Sequence, residues 1–525
     1  MSASISRVVV SAPCGRLAGT TDGTVQRFLG VPYAASAAGE GRYRLPLPHP
    51  AWRGERDATE PGPAALQWGH GTSFGTLFGT LRRRQSEDCL YLNVWAPARS
   101  ERPLPVLVWV HGGAFIAGAG STFLYEGSRL AVDGQMVVVT LNYRLGPLGF
   151  LDLGRVAPAA GIPANLGLHD QLAALEWVRA NIAAFGGDPA CLTLCGESAG
   201  AMSVGALLPR AHGRFERAVL QSGAAANVSQ PDEAALVAEE FLWRLELSPA
   251  AAHRVRSLPV GRLMAAGLLS KVRPWAGFLP WQPSVDGQLI DRQPLAALAA
   301  GEASEVPVLI GTNRDEWRLF GPLERFYPMT WQRLRKHLAA SRRGRDSSAE
   351  ELEQLLVVYR GAGRRRPLNP ARTFDRFRTD EAFRVPAIEL ATTQSHHAPV
   401  YVYRFDYRLP LVGWYHGACH GAEIPLLFGS DRHPVLQPIY LRRRAGDALG
   451  LQMRRSWGAF ARCGDPGTPE PPEWRPFDPD VRPVTLLADP PRLVECPDRE
   501  LDAIWWPAGP VAGGSVEREA DPRSG

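Results

Sequence analysis

Four short segments of this chain hold residue types that could break an acyl bond. Ser198 lies in Gly196-Glu197-Ser198-Ala199-Gly200, after the apolar run 191–195 (CLTLC) and before the helix-like run AMSVGALL. A serine oxygen attacks a carbonyl only when a sharp strand-to-helix turn raises it. Small residues two positions either side let that turn close. The helix that follows aims its N-terminal amides at the reacting carbonyl. The alternative reading is a glycine-rich strand–helix turn without chemistry, since the pattern itself is short. A second segment, His111-Gly112-Gly113-Ala114-Phe115, ends the run 105–110 (PVLVWV). Acyl transfer builds negative charge on oxygen, and backbone N–H groups must point at it. The amides of Gly113, Ala114 and Ala199 are the predicted donors, with Gly112 in support. Alone this segment reads as an ordinary turn; paired with the Ser198 turn it reads as an oxyanion loop.

A serine nucleophile needs a base, and the base needs an orienting acid. In hydrolases with such an elbow the chain order is Ser, acid, His. After Ser198, the run VPVLIGT leads into Asn313-Arg314-Asp315-Glu316. Neighbouring residues at a strand end point in opposite directions, so one of the two carboxylates can reach the base. Chain order leaves His337, His396, His397, His416, His420 and His433 as bases.

Strand-like apolar runs must carry these segments: 105–110, 136–143, 191–195, 217–221, 306–310, 400–405 and 483–487. Between them, residues 167–185 place Leu168, Leu172, Leu175, Val178, Ile182 and Phe185 at helical spacing. Buried runs alternating with helices predict an α/β fold, a mostly parallel sheet with helices on both faces. The site then belongs at the carboxyl ends of the strands. No linker divides the chain, so residues 1–510 read as one catalytic domain and 511–525 as a flexible tail. The charged stretch 320–395 reads as helices over the sheet edge and the mouth of the site.

Composition narrows the function classes. The chain has 525 residues, 45% hydrophobic and 21% charged, which excludes a disordered or coiled-coil protein. A net charge of +5 from 58 basic and 53 acidic residues is too dilute for a nucleic-acid binder. The runs Arg82–Arg84, Arg364–Arg366 and Arg442–Arg444 lack interleaved aromatics and read as solvated surface. The seven cysteines show no CxxC spacing, which predicts neither a disulfide framework nor a zinc site. No apolar stretch is long enough to span a membrane. These features predict a cytoplasmic protein without metal or cofactor, a monomer acting on a small molecule.

Several longer motifs in fixed order resemble the type-B carboxylesterase/lipase family of α/β-hydrolases, which includes bacterial p-nitrobenzyl-type esterases, vertebrate carboxylesterases and cholinesterases. They are FLGVPYA (28–34), SEDCLYLNVW (86–95), HGGAF, LNYRLGPLGF (141–150), NLGLHDQ to FGGDP (165–189), GESAG, TDEAFRVPA (379–387) and WGAFARCGDP (457–466). The resemblance runs from about residue 12 to about residue 480. It implies an α/β-hydrolase fold with helical insertions over the site. It also implies a serine esterase that cleaves carboxylic esters through an acyl-serine intermediate.

Carried over residue by residue, the family's acid falls on Glu316, because its motif reads DEG; here Trp317 stands in place of that Gly. Its histidine falls on His420, which begins HGAEIPLLFG, and His416 four residues upstream is the decoy. Glu197 is expected either to support the imidazolium or to sit as a helix N-terminal carboxylate. Ser222, in LQSGA, resembles the family serine that hydrogen-bonds the acid. Phe115, Phe278, Trp281 and Trp317 are the aromatics expected nearest the pocket, each reading first as plain core or wall rather than as a determinant of specificity. Secreted relatives bridge the position of Cys89, but the corresponding stretch Gly62–Leu66 holds no cysteine. Gly79 replaces the tryptophan with which cholinesterases hold a quaternary ammonium, so a choline ester is not the expected substrate. Amide, carbamate and lactone hydrolysis would use the same machinery. A non-catalytic module of this fold would lack the Ser, Glu and His.

Overall fold

The computed structural model describes residues 5–68, 84–268, 279–320, 329–341, 347–361, 367–411, 413, 415–441 and 443–506. Phe278, Gly79, most of the three arginine runs and the expected tail 511–525 lie outside the described residues. Among those described, Arg84, Arg443 and Arg444 are exposed.

Strands in chain order are β1 (Ser6–Ala12), β2 (Gly15–Thr21), β3 (Val25–Pro32), β4 (Glu55–Asp57), β5 (Ala64–Ala65), β6 (Gln85–Ser86), β7 (Tyr91–Pro97) and β8 (Leu104–Val110). There follow β9 (Val137–Leu141), β10 (Gly187–Glu197), β11 (Arg217–Gln221), β12 (Val308–Asn313), β13 (Val400–Phe405), β14 (Pro483–Leu487) and β15 (Arg492–Glu495). The main sheet runs β1-β2-β3-β7-β9-β8-β10-β11-β12-β13-β14-β15, with β4 beside β2. From β9 to β14 every neighbouring pair is parallel. The pairs beyond are antiparallel, except that β4 runs parallel to β2.

All seven predicted runs are strands of this parallel centre. They read as unbroken apolar stretches because both sheet faces are covered. On β8 the alternation is plain: Val106, Val108 and Val110 enter one core, Leu107 and Trp109 the other. The first core is closed by the helix Leu166–Asn181, whose Leu168, Leu175 and Val178 pack there. The second is closed by the helix Arg444–Cys463 through Met453, Trp457 and Phe460. The antiparallel strands β1–β3 were not among the predicted runs. Their half-exposed, polar-interrupted sequences lack the apolar continuity of a buried strand.

The chain leaves β8 for β9 on one side and returns across it to β10 on the other. This reversal opens a crevice at the carboxyl ends of β8 and β10, the place where such sheets bind ligands. The helices Trp331–Ala340, Ala349–Arg360, Pro370–Thr379 and Val385–Ser395 occupy the predicted helical stretch. No helix among the described residues is long and apolar enough to cross a membrane.

Candidate active site

Ser198 ends β10 and caps the helix Ala199–Leu207 with φ 55° and ψ −125°. A non-glycine residue in that region costs roughly 1–3 kcal/mol and persists only where its surroundings impose it. Here the imposition is steric. A Cβ on Gly196 would stand 2.4 Å from Gly200 C, and one on Gly200 would stand 2.0 Å from Val110 O. The turn therefore closes only with glycine at both positions. Ser198 N donates to Gln221 O at 2.9 Å, which ties the turn to β11.

The HGGAF segment leaves β8 in an equally constrained path. Gly113, Ala114 and Phe115 have φ of 116°, 55° and 60°. A Cβ on Gly112 would lie 2.9 Å from Ser198 Cβ, so this backbone passes directly against the nucleophile. Gln67 pins the loop, donating to Gly118 O (2.9 Å) and accepting from Gly118 N (3.0 Å). His111 is buried and stacked on Tyr143, and burial lowers its pKa to about 4, so the ring is neutral. Among the described residues, the amides of Gly113, Ala114 and Ala199 donate to no protein group. Three orphan donors beside a serine turn suit a developing oxyanion.

His420 and Glu316 meet across 104 residues of chain: His420 Nδ1 and Glu316 Oε2 are 2.6 Å apart. Glu316 is fully buried, and its other oxygen accepts from Asn313 N at 2.7 Å. On the far edge of the imidazole, Nε2 lies 3.2 Å from Glu197 Oε1, the residue before Ser198. Ser198 Oγ itself makes no hydrogen bond among the described residues. Burial pushes the Glu197 carboxyl up to about 8. Burial alone would lower the His420 pKa, but the charges of Glu197 and Glu316 outweigh it and raise it to about 9. The two groups act on each other in opposite senses: Glu197 raises the His420 pKa, while His420 lowers that of Glu197 against the larger effect of burial. Glu423 adds a third buried carboxylate, raised by burial and by Glu316, and held by Asn313 Nδ2 (2.5 Å) and Gln221 Nε2 (3.1 Å).

The rival carboxylate has a different task. Asp315 N donates to Ala418 O (2.9 Å), Asp315 Oδ2 accepts from Ala418 N (3.1 Å), and Arg318 pairs with Oδ1 (2.6 Å). It fastens the histidine loop to the acid loop. Ser222 departs from its expected role. Its hydroxyl is buried with no hydrogen-bond partner among the described residues, so it does not bond Glu316. Its backbone, at φ 51°, instead donates from N to Gly311 O (2.8 Å).

The expected pocket aromatics divide. Phe115 is core, edge-on to Phe150 at 4.9 Å. Trp281 is also core, against Phe241, with Nε1 bonded to Gly267 O (3.0 Å). Trp317 adjoins the acid and packs on Phe320 at 5.0 Å, with Arg378 over its ring at 4.3 Å. The rings that touch His420 are Phe320 (5.3 Å) and Phe383 (4.9 Å). Sequence reading missed both as wall residues. Phe383 stood inside the TDEAFRVPA motif, but no spacing rule shows which way a helical side chain points before the helix is placed.

The family motifs that bear no reactive group serve as braces. Arg144 of LNYRLGPLGF and Asp170 of NLGLHDQ form a buried two-point pair at 2.8 and 2.6 Å. Glu87 of SEDCLYLNVW grips Arg42 at 2.5 and 2.6 Å.

Residues 6–504 match the profile of the Carboxylesterase family. The chain is 37% identical over 486 residues to the para-nitrobenzyl esterase of Bacillus subtilis, covering 91% of this chain and 94% of that protein. It is 36% identical over 491 residues to carboxylesterase 4A of Bos taurus, covering 87% and 86%. A solved carboxylesterase of Geobacillus stearothermophilus superposes with a TM-score of 0.82 at 36% identity, over 95% of this chain and 100% of that one. With this sheet, this serine turn and matches across nearly its whole length, the chain belongs to the carboxylesterase family of α/β-hydrolases, enzymes of carboxylic ester hydrolysis.

Proposed function

We propose that the chain hydrolyses carboxylic esters through an acyl–Ser198 intermediate, with His420 as base and Glu316 as its orienting acid. One observation carries the reading: His420 is held between Glu316 on Nδ1 and Glu197, the neighbour of Ser198, on Nε2. Substrate binding exchanges the Glu197 partner of Nε2 for Ser198 Oγ, a bond that commonly tightens only with substrate present. Oγ then attacks the ester carbonyl while its proton passes to Nε2. The amides of Gly113, Ala114 and Ala199 receive the oxyanion. Collapse expels the alkoxide, which takes the proton from Nε2, and water repeats the sequence on the acyl group. Glu316 keeps Nδ1 protonated and offsets the imidazolium charge.

Phe320, Phe383 and Trp317 wall the site with uncharged rings, which favours uncharged acyl and alkoxy groups. Amides, carbamates and lactones are open to the same steps.

Ser198→Ala should abolish hydrolysis of p-nitrophenyl acetate and leave the circular dichroism spectrum unchanged. Undiminished turnover by that variant would remove Ser198 from the mechanism.

A further inference from the structure

The helix Pro370–Thr379 continues into Val385–Ser395 through a single π-helical turn, Asp380–Arg384. Such turns are rare and concentrate at functional sites, because the extra residue shifts which side chains share a face. Here two pairs, each four residues apart, face two ways. Thr379 and Phe383 face the site: Thr379 Oγ1 accepts from Trp317 N at 3.1 Å, and the Phe383 ring lies 4.9 Å from His420. Asp380 and Arg384 face away and clamp each other across the turn at 2.7 and 3.0 Å.

That clamp is gripped from the far end of the chain. Arg384 Nη1 is bonded to Asp502 on the helix Arg499–Trp505. From the same helix, Trp505 Nε1 donates to Tyr359 Oη (2.7 Å), whose hydroxyl donates to Asp380 (2.6 Å). Arg482 holds the other Asp502 oxygen at 3.1 Å. A cavity of about 30 Å³, roughly the space of one water, borders Arg384, Asp498 and Asp502.

We infer that Asp502 is a positioning residue for substrate selection: through Arg384 it fixes the π-turn that holds Phe383 against His420. The inference rests on the proposed catalytic role of His420. Without the Asp502 charge the turn relaxes and Phe383 moves, so esters with acyl groups large enough to reach the ring lose affinity. Acetate, too short to reach it, is indifferent.

The test compares full-length wild type and Asp502→Asn on p-nitrophenyl acetate and p-nitrophenyl octanoate, with active sites counted by burst titration. The expected result is an octanoate KM raised about tenfold, with acetate kcat and KM nearly unchanged, since small displacements of a positioning group act steeply. Equal loss on both esters, or no loss on either, overturns the inference. If Asp502→Asn does not fold, Tyr359→Phe decides, because it removes one hydrogen bond to Asp380 and keeps the ring. It should shift the same KM ratio in the same direction, and an unchanged ratio overturns the proposal. Ser198→Ala run alongside separates the two failures. If it is active, the catalytic reading falls; if it is inactive while both ratios stay unchanged, only the positioning role falls.

Discussion

Around Ser198 the contacts that fix the geometry are backbone against backbone: Gly200 under Val110 O, Gly196 against Gly200, Gly112 over the serine itself. Around His420 they are side chains from distant parts of the chain: Glu316, Glu197, Glu423 and, behind them, Asp315 and Asn313. The first half has no room for a single added carbon. The second half concentrates three buried carboxylates on one imidazole. Hard-sphere exclusion therefore builds the Ser198 turn, and charge with hydrogen bonding builds the His420–Glu316 pair. The two halves should fail differently.

The steepest failure is expected for Gly200→Ala, whose Cβ would stand 2.0 Å from a main-chain oxygen that cannot rotate away. Overpacking costs roughly 1–3 kcal/mol, and more where, as here, the obstacle is main chain. We expect a lower melting temperature and no measurable esterase activity; a folded, active variant would refute the steric account. On the other half, Glu316→Gln keeps the volume and removes the charge. Its kcat should fall by about 10⁴ with the melting temperature little changed, as for a mis-set tautomer in other triads. A loss below tenfold would assign the acid elsewhere.

Glu197→Gln sharpens the electrostatic half. The negative charge of Glu197 stabilises the imidazolium, which helps raise the His420 pKa to about 9. The base must be neutral to act, so activity rises with pH through that ionisation. Removing the charge lowers the His420 pKa, and the acid limb of kcat/KM should move to lower pH. A limb that stays put or moves up would contradict the charge coupling of Glu197 to His420. The smallest effect belongs to Ser222→Ala. A buried hydroxyl without a partner keeps an unrecovered desolvation cost, so replacing it should leave the melting temperature unchanged or slightly higher. Loss of activity there would revive the expected bond to Glu316.

These contrasts track what a linear reading could see. The Ser198 turn was legible because its constraint is local: strand, glycine, serine, glycine and helix are consecutive. The seven parallel strands were legible because burial on both faces leaves an unbroken apolar run. The choice of Glu316 over Asp315, and of His420 over His416, was not decidable from spacing. It came from the family resemblance; in the structure Glu316 Oε2 lies 2.6 Å from His420 Nδ1. The pocket wall was mostly illegible. Phe115 and Trp281 are aromatic residues of the core, whereas Phe383 reaches the imidazole because a π-turn rotates it there.

The sequence by itself determined the parallel sheet, the Ser198 turn and the glycine-rich segment that follows β8. Each of these is written in residues a few positions apart, where backbone sterics and apolar periodicity act. Only the tertiary structure decided which carboxylate meets the histidine, that Glu197 lies on its other edge, and which rings enclose it. Those contacts join residues tens to hundreds of positions apart, and packing, not spacing, brings them together.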